Sequence, residues 1–147
     1  DHSTRLAANA NKYYHGENPT INKYEKIIYD MQGKAHRDMY TANHKIASKF
    51  FGLVVDQEVS YLLGNGVSFQ KPETEKALGA TFDEDIMDAA RHALIDGQSF
   101  VFWNLDHVQV FAAEEFVPLY DEEDGSIKAG IRFWHVADNK PLRATLY

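Results

Sequence analysis

The chain has 147 residues, 44% of them hydrophobic, with no cysteine and a formal net charge of −7. That length supports one real core and one or at most two small domains; the missing cysteines exclude disulfides and thiolate metal sites; and no apolar run reaches the roughly 18 residues of a membrane-spanning helix. Charge is uneven, with eight Lys/Arg against five Asp/Glu in residues 1–50 and seven against seventeen in residues 51–147, a net of +3 and of −10, so the acidic body argues against tight nonspecific binding to a phosphate backbone.

In chain order, Ser3 or Thr4 is expected to cap a short helix whose apolar side is Leu6, Ala7, Ala10, Tyr13 and Tyr14 and which ends near Gly16. Asn18-Pro19 reads as an extended turn, because the residue before proline is pushed out of the helical region. Residues 22–41 alternate charge with isolated apolar positions such as Ile27, Ile28, Met39 and Tyr40, and predict a mostly irregular connector with a short strand.

Residues 43–66 predict the helix around which the chain is organised. Turning 100° per residue from Ile46, the residues Leu53, Gln57, Phe50, Tyr61, Val54 and Ala47 share one arc, continued by Phe51, Leu62 and Val55. Only a narrow stripe of Lys45, Lys49, Asp56 and Ser60 stays polar, so nearly the whole helix is expected to be covered by neighbours. Asn43 is the expected N-cap, and Gly64-Asn65-Gly66 the stop. Gln57 should then be buried with its amide paired, and truncating Phe50 to Ala should cost about 3–5 kcal/mol.

Beyond it, residues 67–69 read as a short strand and Pro72 opens a helical stretch through Leu78. A second amphipathic helix is expected from Phe82 to about Asp96, with a Thr81/Glu84 capping box, the acids Asp83, Glu84 and Asp85 at its positive end, and Gly97 closing it. Its buried arc is Phe82, Ile86, Ala89, Ala90, Ala93 and Leu94. From Gln98 the period changes to that of antiparallel sheet. Residues 99–105 and 108–111 flank Asp106-His107 as a hairpin; residues 116–120 form a strand that Pro118 places at an edge or bulge. After the loop at 121–126, a strand over 127–136 precedes a turn at Asp138-Asn139-Lys140-Pro141 and a last strand over 142–147. The expected class is α+β, a single domain over 1–147 with a helical part at 1–97 and a β-rich part at 98–147.

No catalytic, cofactor-binding or metal residue is assigned. His2, His15, His36, His44, His92, His107 and His135 show no HxH or HExxH spacing. Asp83, Asp85 and Asp88 suggest a carboxylate cluster, but their helical directions diverge. Aligning Gly125 with the glycine of a calcium loop puts Tyr120 at the first ligand and Ile131 at the last, which fails the need for oxygen ligands. Gly64-x-Gly66 lacks the rest of a phosphate-binding loop, and no serine sits in a nucleophile elbow.

Three stretches nevertheless stand in a meaningful order: Tyr13-Tyr14-x-Gly16-x-Asn18-Pro19-x-Ile21, then Asn43-His44-Lys45-Ile46, then the run from Val55-Asp56-Gln57 through Gly64-Asn65-Gly66 to Phe69. They resemble successive signatures of tailed-bacteriophage portal proteins. Asp96-Gly97-Gln98-Ser99-Phe100-Val101, Glu115-Phe116-Val117-Pro118-Leu119-Tyr120-Asp121 and Ala129-Gly130-Ile131-Arg132-Phe133-Trp134 are similar to that family's following sheet. Gly66 stands where many relatives carry proline. The resemblance implies a structural subunit of a dodecameric homo-oligomeric ring, the head-tail connector at one capsid vertex, through which DNA is packaged and ejected. It implies docking to terminase, head-tail adaptor and capsid or scaffold proteins, with assembly in the host cytoplasm or from a prophage, and no enzymatic activity, cofactor or membrane. The chain reads as a wing-like fragment of a longer protein that stops before most of the DNA channel and has its apolar residues used up by its own core. The alternative is an acidic α+β enzyme domain, such as a metal-dependent hydrolase built from scattered histidines and carboxylates.

Overall fold

The computed structural model describes residues 2–137 and 139–147. Asp138, expected in the last turn, and the side chain of Ser3, an expected cap, lie outside that description. Among the described residues five helices and seven strands follow in order, an α+β arrangement as expected: α1 His2–Tyr14, α2 Pro19–Lys23, β1 Ile27–Tyr29, β2 Ala35–Arg37, α3 Phe50–Leu63, α4 Pro72–Leu78, α5 Phe82–Asp96, β3 Ser99–Trp103, β4 Val108–Ala112, β5 Phe116–Tyr120, β6 Ile127–His135 and β7 Leu142–Leu146. The strands form three antiparallel sheets among the described residues, β1-β2, β3-β4 and β5-β6-β7.

Helices α1, α3 and α5 pack together, and α5 also lies against β3 and β4. Their shared core is small-sided: Val55 and Val59 of α3 meet Ile95 of α5, with Ala10, Tyr14, Met87 and Ala90 around them. Small residues let the backbones approach. A Cβ at Gly52 would stand 2.8 Å from the Tyr14 carbonyl oxygen, so glycine there sets how closely α3 lies on the end of α1. A second, aromatic core joins the two C-terminal sheets. Phe111 stacks on Phe116 with ring centroids 5.3 Å apart, Phe100 lies 4.7 Å from Phe116, and Tyr147 lies 5.0 Å from Phe111.

The α5 bounds and the β3-β4 pairing agree with the sequence, as does Pro118 in the edge strand β5, which pairs with β6 alone and shifts register between Leu119 and Tyr120. Gly97 ends α5 in the left-handed region, φ 82°. The capping box does not form: Thr81 Oγ1 donates to Asp85 Oδ2 at 2.9 Å instead, which leaves the helix start to the dipole interaction with its acids. Leu94, placed on the buried arc of α5, is exposed, and Ile95 is buried in its stead. Residues 67–69 form no strand.

The larger correction concerns the central helix. It begins at Phe50, six residues later than expected, after Lys49 rather than Asn43. Asn43 Nδ2 donates to the Tyr24 carbonyl at 3.1 Å and so ties off a preceding hairpin. The helix buries Gly52, Val55 and Val59, while Phe50, Leu53, Gln57 and Tyr61 are exposed. Val55, at the edge of the expected arc, is buried as expected, but the centre of that arc at Phe50, Leu53 and Tyr61 faces outward, and Gln57 lies in solvent. The helix is apolar nearly all round, so its periodicity could not choose a side; the small and β-branched side fits closest to α1 and α5. The idea that the apolar residues are used up by the chain's own core fails with it.

The stretch at 22–41 is also more ordered than expected, for β1 and β2 pair as a hairpin. Its turn is organised by Asp30, whose Oδ1 accepts from the backbone N–H of Gln32 at 2.9 Å and of Lys34 at 2.8 Å, while Oδ2 meets His36 Nε2 at 2.9 Å. These bonds hold the Asp30 carboxyl below its ordinary pKa, the Lys34 N–H contributing most. An aspartate three residues before Gly33, whose φ is 77°, was the available signal.

Candidate functional site

Polar side chains collect where the helices meet. Tyr14 Oη donates to Asp56 Oδ1 at 2.9 Å, Arg91 Nε reaches the same oxygen at 3.4 Å, and Arg91 Nη1 lies 3.0 Å from Asp88 Oδ1. One tyrosine, one arginine and two carboxylates thereby link α1, α3 and α5. Desolvation, and then the hydrogen bond to Asp56, raise the Tyr14 pKa. Deeper in, the Asp96 side chain is fully buried. Its Oδ1 accepts from Asn11 Nδ2 at 2.7 Å, and its Oδ2 faces His92 Nδ1 at 3.6 Å, the two atoms buried without a hydrogen bond. Burial pushes the Asp96 carboxyl up, opposed by His92 and Asn11.

The residues considered for catalysis or metal binding are dispersed. Asp83 Oδ1 accepts from the Val67 N–H at 3.0 Å, Asp85 takes the Thr81 hydroxyl, and Asp88 faces Arg91. His36 pairs with Asp30, His107 with Asp106, and His92 sits between Asp88 and Asp96. In the loop at 121–126, Asp121 and Asp124 turn one oxygen each to backbone N–H groups and the other to Lys128 Nζ, at 3.6 Å in both cases. Among the described residues no group of three or more His, Asp or Glu could hold a metal ion. An open cleft of about 380 Å3 lies between the C-terminal sheets, walled by Phe100, Phe102, Phe111, Phe116 and Tyr147.

What the structure does bring together are the motif segments. Tyr14 and Gly52 touch, Tyr14 bonds Asp56, and Asn18 Nδ2 donates to the Ser48 carbonyl at 3.4 Å. The stretch that carries Tyr13 to Ile21 therefore docks on the start and middle of α3. A family model described as "Phage portal protein, SPP1 Gp6-like" matches residues 1–147. The chain belongs to the phage portal protein family. A comparison with curated proteins finds no match.

Portal proteins are structural, and this portal chain leaves large apolar side chains exposed. The outward side of α3 exposes Phe50, Leu53 and Tyr61, its end exposes Leu62, and all six residues of β1 and β2 are exposed. Sequence reasoning missed the α3 part of this surface because it assigned those residues to a core, and read the β1-β2 part as a mostly irregular connector. The departure from the family pattern at Gly66 has a local cause: its φ is 73°, whereas proline fixes φ near −65°. A Cβ there would also meet the Asp83 carboxylate at 2.6 Å.

Proposed function

We propose that these 147 residues form one wing-like domain of a portal subunit, acting as a structural module of a ring at a capsid vertex. Family membership along the whole sequence carries this reading. In it, the chain contributes no catalytic or cofactor site. The complete protein forms a dodecameric head-tail connector through which DNA is packaged and ejected, and which meets terminase, adaptor and capsid or scaffold proteins.

The exposed apolar surface supports an assembling role, since large uncovered patches mark interaction sites. The carboxylates of the hydrolase alternative are each engaged by a different partner, so no observation favours it. Electron microscopy of the protein made from its complete gene tests the reading. Closed rings with a central opening are expected; a protein that stays monomeric under capsid-assembly conditions overturns it. Stoichiometric zinc or manganese after purification without chelator would instead revive the hydrolase.

A further inference from the structure

The junction of α1, α5 and the turn between β4 and β5 is built on one buried carboxylate. Asp96 ends α5 with its side chain wholly out of solvent. Its Oδ1 accepts from Asn11 Nδ2 of α1 at 2.7 Å, the same amide reaches Glu114 Oε1 of the turn at 3.3 Å, and the Ala113 N–H of the turn faces the carboxylate as well. Three elements far apart in the sequence are thus tied through a single side chain. One of them, α1, leads into the stretch 13–21 that docks on α3.

The other oxygen of this carboxylate is left over. Asp96 Oδ2 and His92 Nδ1 face each other at 3.6 Å along α5, both buried and neither hydrogen-bonded. Buried polar atoms are ordinarily paired, and the distance decides what can pair these two. A direct N–H···O bond spans about 2.7–3.2 Å, which is shorter, and a water bonded to both atoms holds them about 4.5 Å apart or more, which is longer. A proton fits: shared between Nδ1 and Oδ2, it closes the gap by about half an ångström into a charge-assisted bond. The outer ring nitrogen points the same way, because His92 Nε2 lies 3.8 Å from Asp88 Oδ2. A neutral imidazole has one N–H for two carboxylates, and an imidazolium has one for each. The charges around the couple favour uptake. Asp88 on α5 and Glu114 on the turn are acidic; Arg91, the one Lys or Arg of α5, is turned to Asp56 of α3 and to Asp88; α1, whose cations are Arg5 and Lys12, meets the couple through the neutral Asn11; and β3 and β4, which also pack on α5, carry no charged residue.

We propose that His92 and Asp96 form a proton-binding site that works as a latch: a proton held between Nδ1 and Oδ2 closes the joint of α1 on the end of α5, and its loss at rising pH loosens that joint. Without the proton the carboxylate keeps its charge where water does not reach, and the opening of α1 is what rehydrates it. Burial raises the carboxyl's affinity for a proton in the same direction. The latch rests on the junction alone and not on the ring that a portal builds.

Amide hydrogen exchange of the chain, followed by NMR between about pH 5 and 8 and corrected for the pH dependence of chemical exchange itself, tests it. The His92 ring and the Asp96 carboxyl should report one shared step, since coupled groups titrate as a pair. Across that step the protection of the amides of residues 7–14 should fall at least about tenfold relative to those of β5 and β6, the factor that one pKa unit of difference between closed and open latch is worth. Asp96→Asn keeps an oxygen for Asn11 and presents an N–H to Nδ1, so it should lose the step and hold the protection high throughout. The titration of the unsubstituted chain depends on no variant folding. Protection of residues 7–14 that stays constant while His92 titrates, or an Asp96 carboxyl silent through that step, overturns the latch. A step that survives in Asp96→Asn overturns it too, and if that step is lost in Asp88→Asn the proton belongs to the outer side of the ring. Each of these failures leaves the portal reading standing, because none of them bears on ring formation by the complete protein.

Discussion

The Tyr14 hydroxyl donates to Asp56 Oδ1 across 2.9 Å and so fastens the end of α1 to the middle of α3. Tyr14→Phe keeps the ring and removes the donor, leaving Asp56 to Arg91. The expected loss is about 0.5–1.5 kcal/mol by urea denaturation. Because the folded-state pKa of Tyr14 is raised above 10.0, its contribution is complete below that value and is lost as pH climbs through the raised one. The difference between the parent chain and Tyr14→Phe should therefore shrink at strongly alkaline pH. A difference independent of pH up to full ionisation would place the bond's energy elsewhere.

Gly52→Ala sets two effects against each other. Alanine gains about 1 kcal/mol of helix propensity over glycine, but its Cβ would stand 2.8 Å from the Tyr14 carbonyl oxygen, a backbone atom that moves only if α1 moves. Overpacking of that kind costs about 1–3 kcal/mol. The net change should be a loss, read as a lower melting temperature. A rise would show that α1 shifts freely.

Val59 and Phe50 should exchange the ranks that their sizes suggest. Val59 is 1% exposed in the helical core, and Val59→Ala should cost about 1–3 kcal/mol through lost contacts and the cavity left behind. Phe50→Ala, on the outward face, should stay within about 0.5 kcal/mol for the monomer at dilute concentration. A large loss at Phe50 under those conditions would restore the face expected from periodicity.

How far the chain can be read before folding varies with how much its pattern leaves open. Helix α5 was legible at both ends because acids crowd its start and Gly97 follows its last turn. The β3-β4 hairpin was legible because Phe, Val and Trp crowd two runs on either side of a short polar turn. At α3, Phe50, Leu53 and Tyr61 outweigh Gly52, Val55 and Val59 in hydrophobicity, yet closeness of approach decided the packing. The matching small residues Ala10 on α1 and Ala90 on α5 were the overlooked sign. The polar cluster of Asp96, His92 and Asn11 was illegible for another reason: Asn11 comes from 85 residues away, and no local spacing announces it.

That cluster yields a prediction about pH. With its folded-state pKa raised above 3.8, Asp96 costs the fold nothing when protonated in both states. As pH rises past its ordinary value the unfolded chain ionises first, and stability falls until the folded carboxyl ionises too. Asp96→Asn keeps an Oδ1 for Asn11 and presents an N–H towards His92 Nδ1, so it should stabilise by about 1 kcal/mol at pH 7. The gain over the parent chain should grow between pH 3.5 and 7. A variant equally destabilised at both ends would mean that the charged carboxylate is held favourably.

The final expectation concerns DNA. Residues 51–147 carry a net charge of −10, and the +3 of residues 1–50 is spread over eight cations, of which Lys26 and Lys45 already donate to backbone carbonyls and Arg37 pairs with Glu25. Tight binding to duplex DNA requires several cations that neutralise phosphates together. Titration of a short duplex with this chain at physiological salt should give a dissociation constant no tighter than about 10⁻⁶ to 10⁻⁴ M. Affinity should fall further with added salt through screening of the charges. Nanomolar binding at that salt would require a basic groove assembled from several copies, and its dependence on protein concentration would then follow the self-association of the chain rather than a one-to-one isotherm.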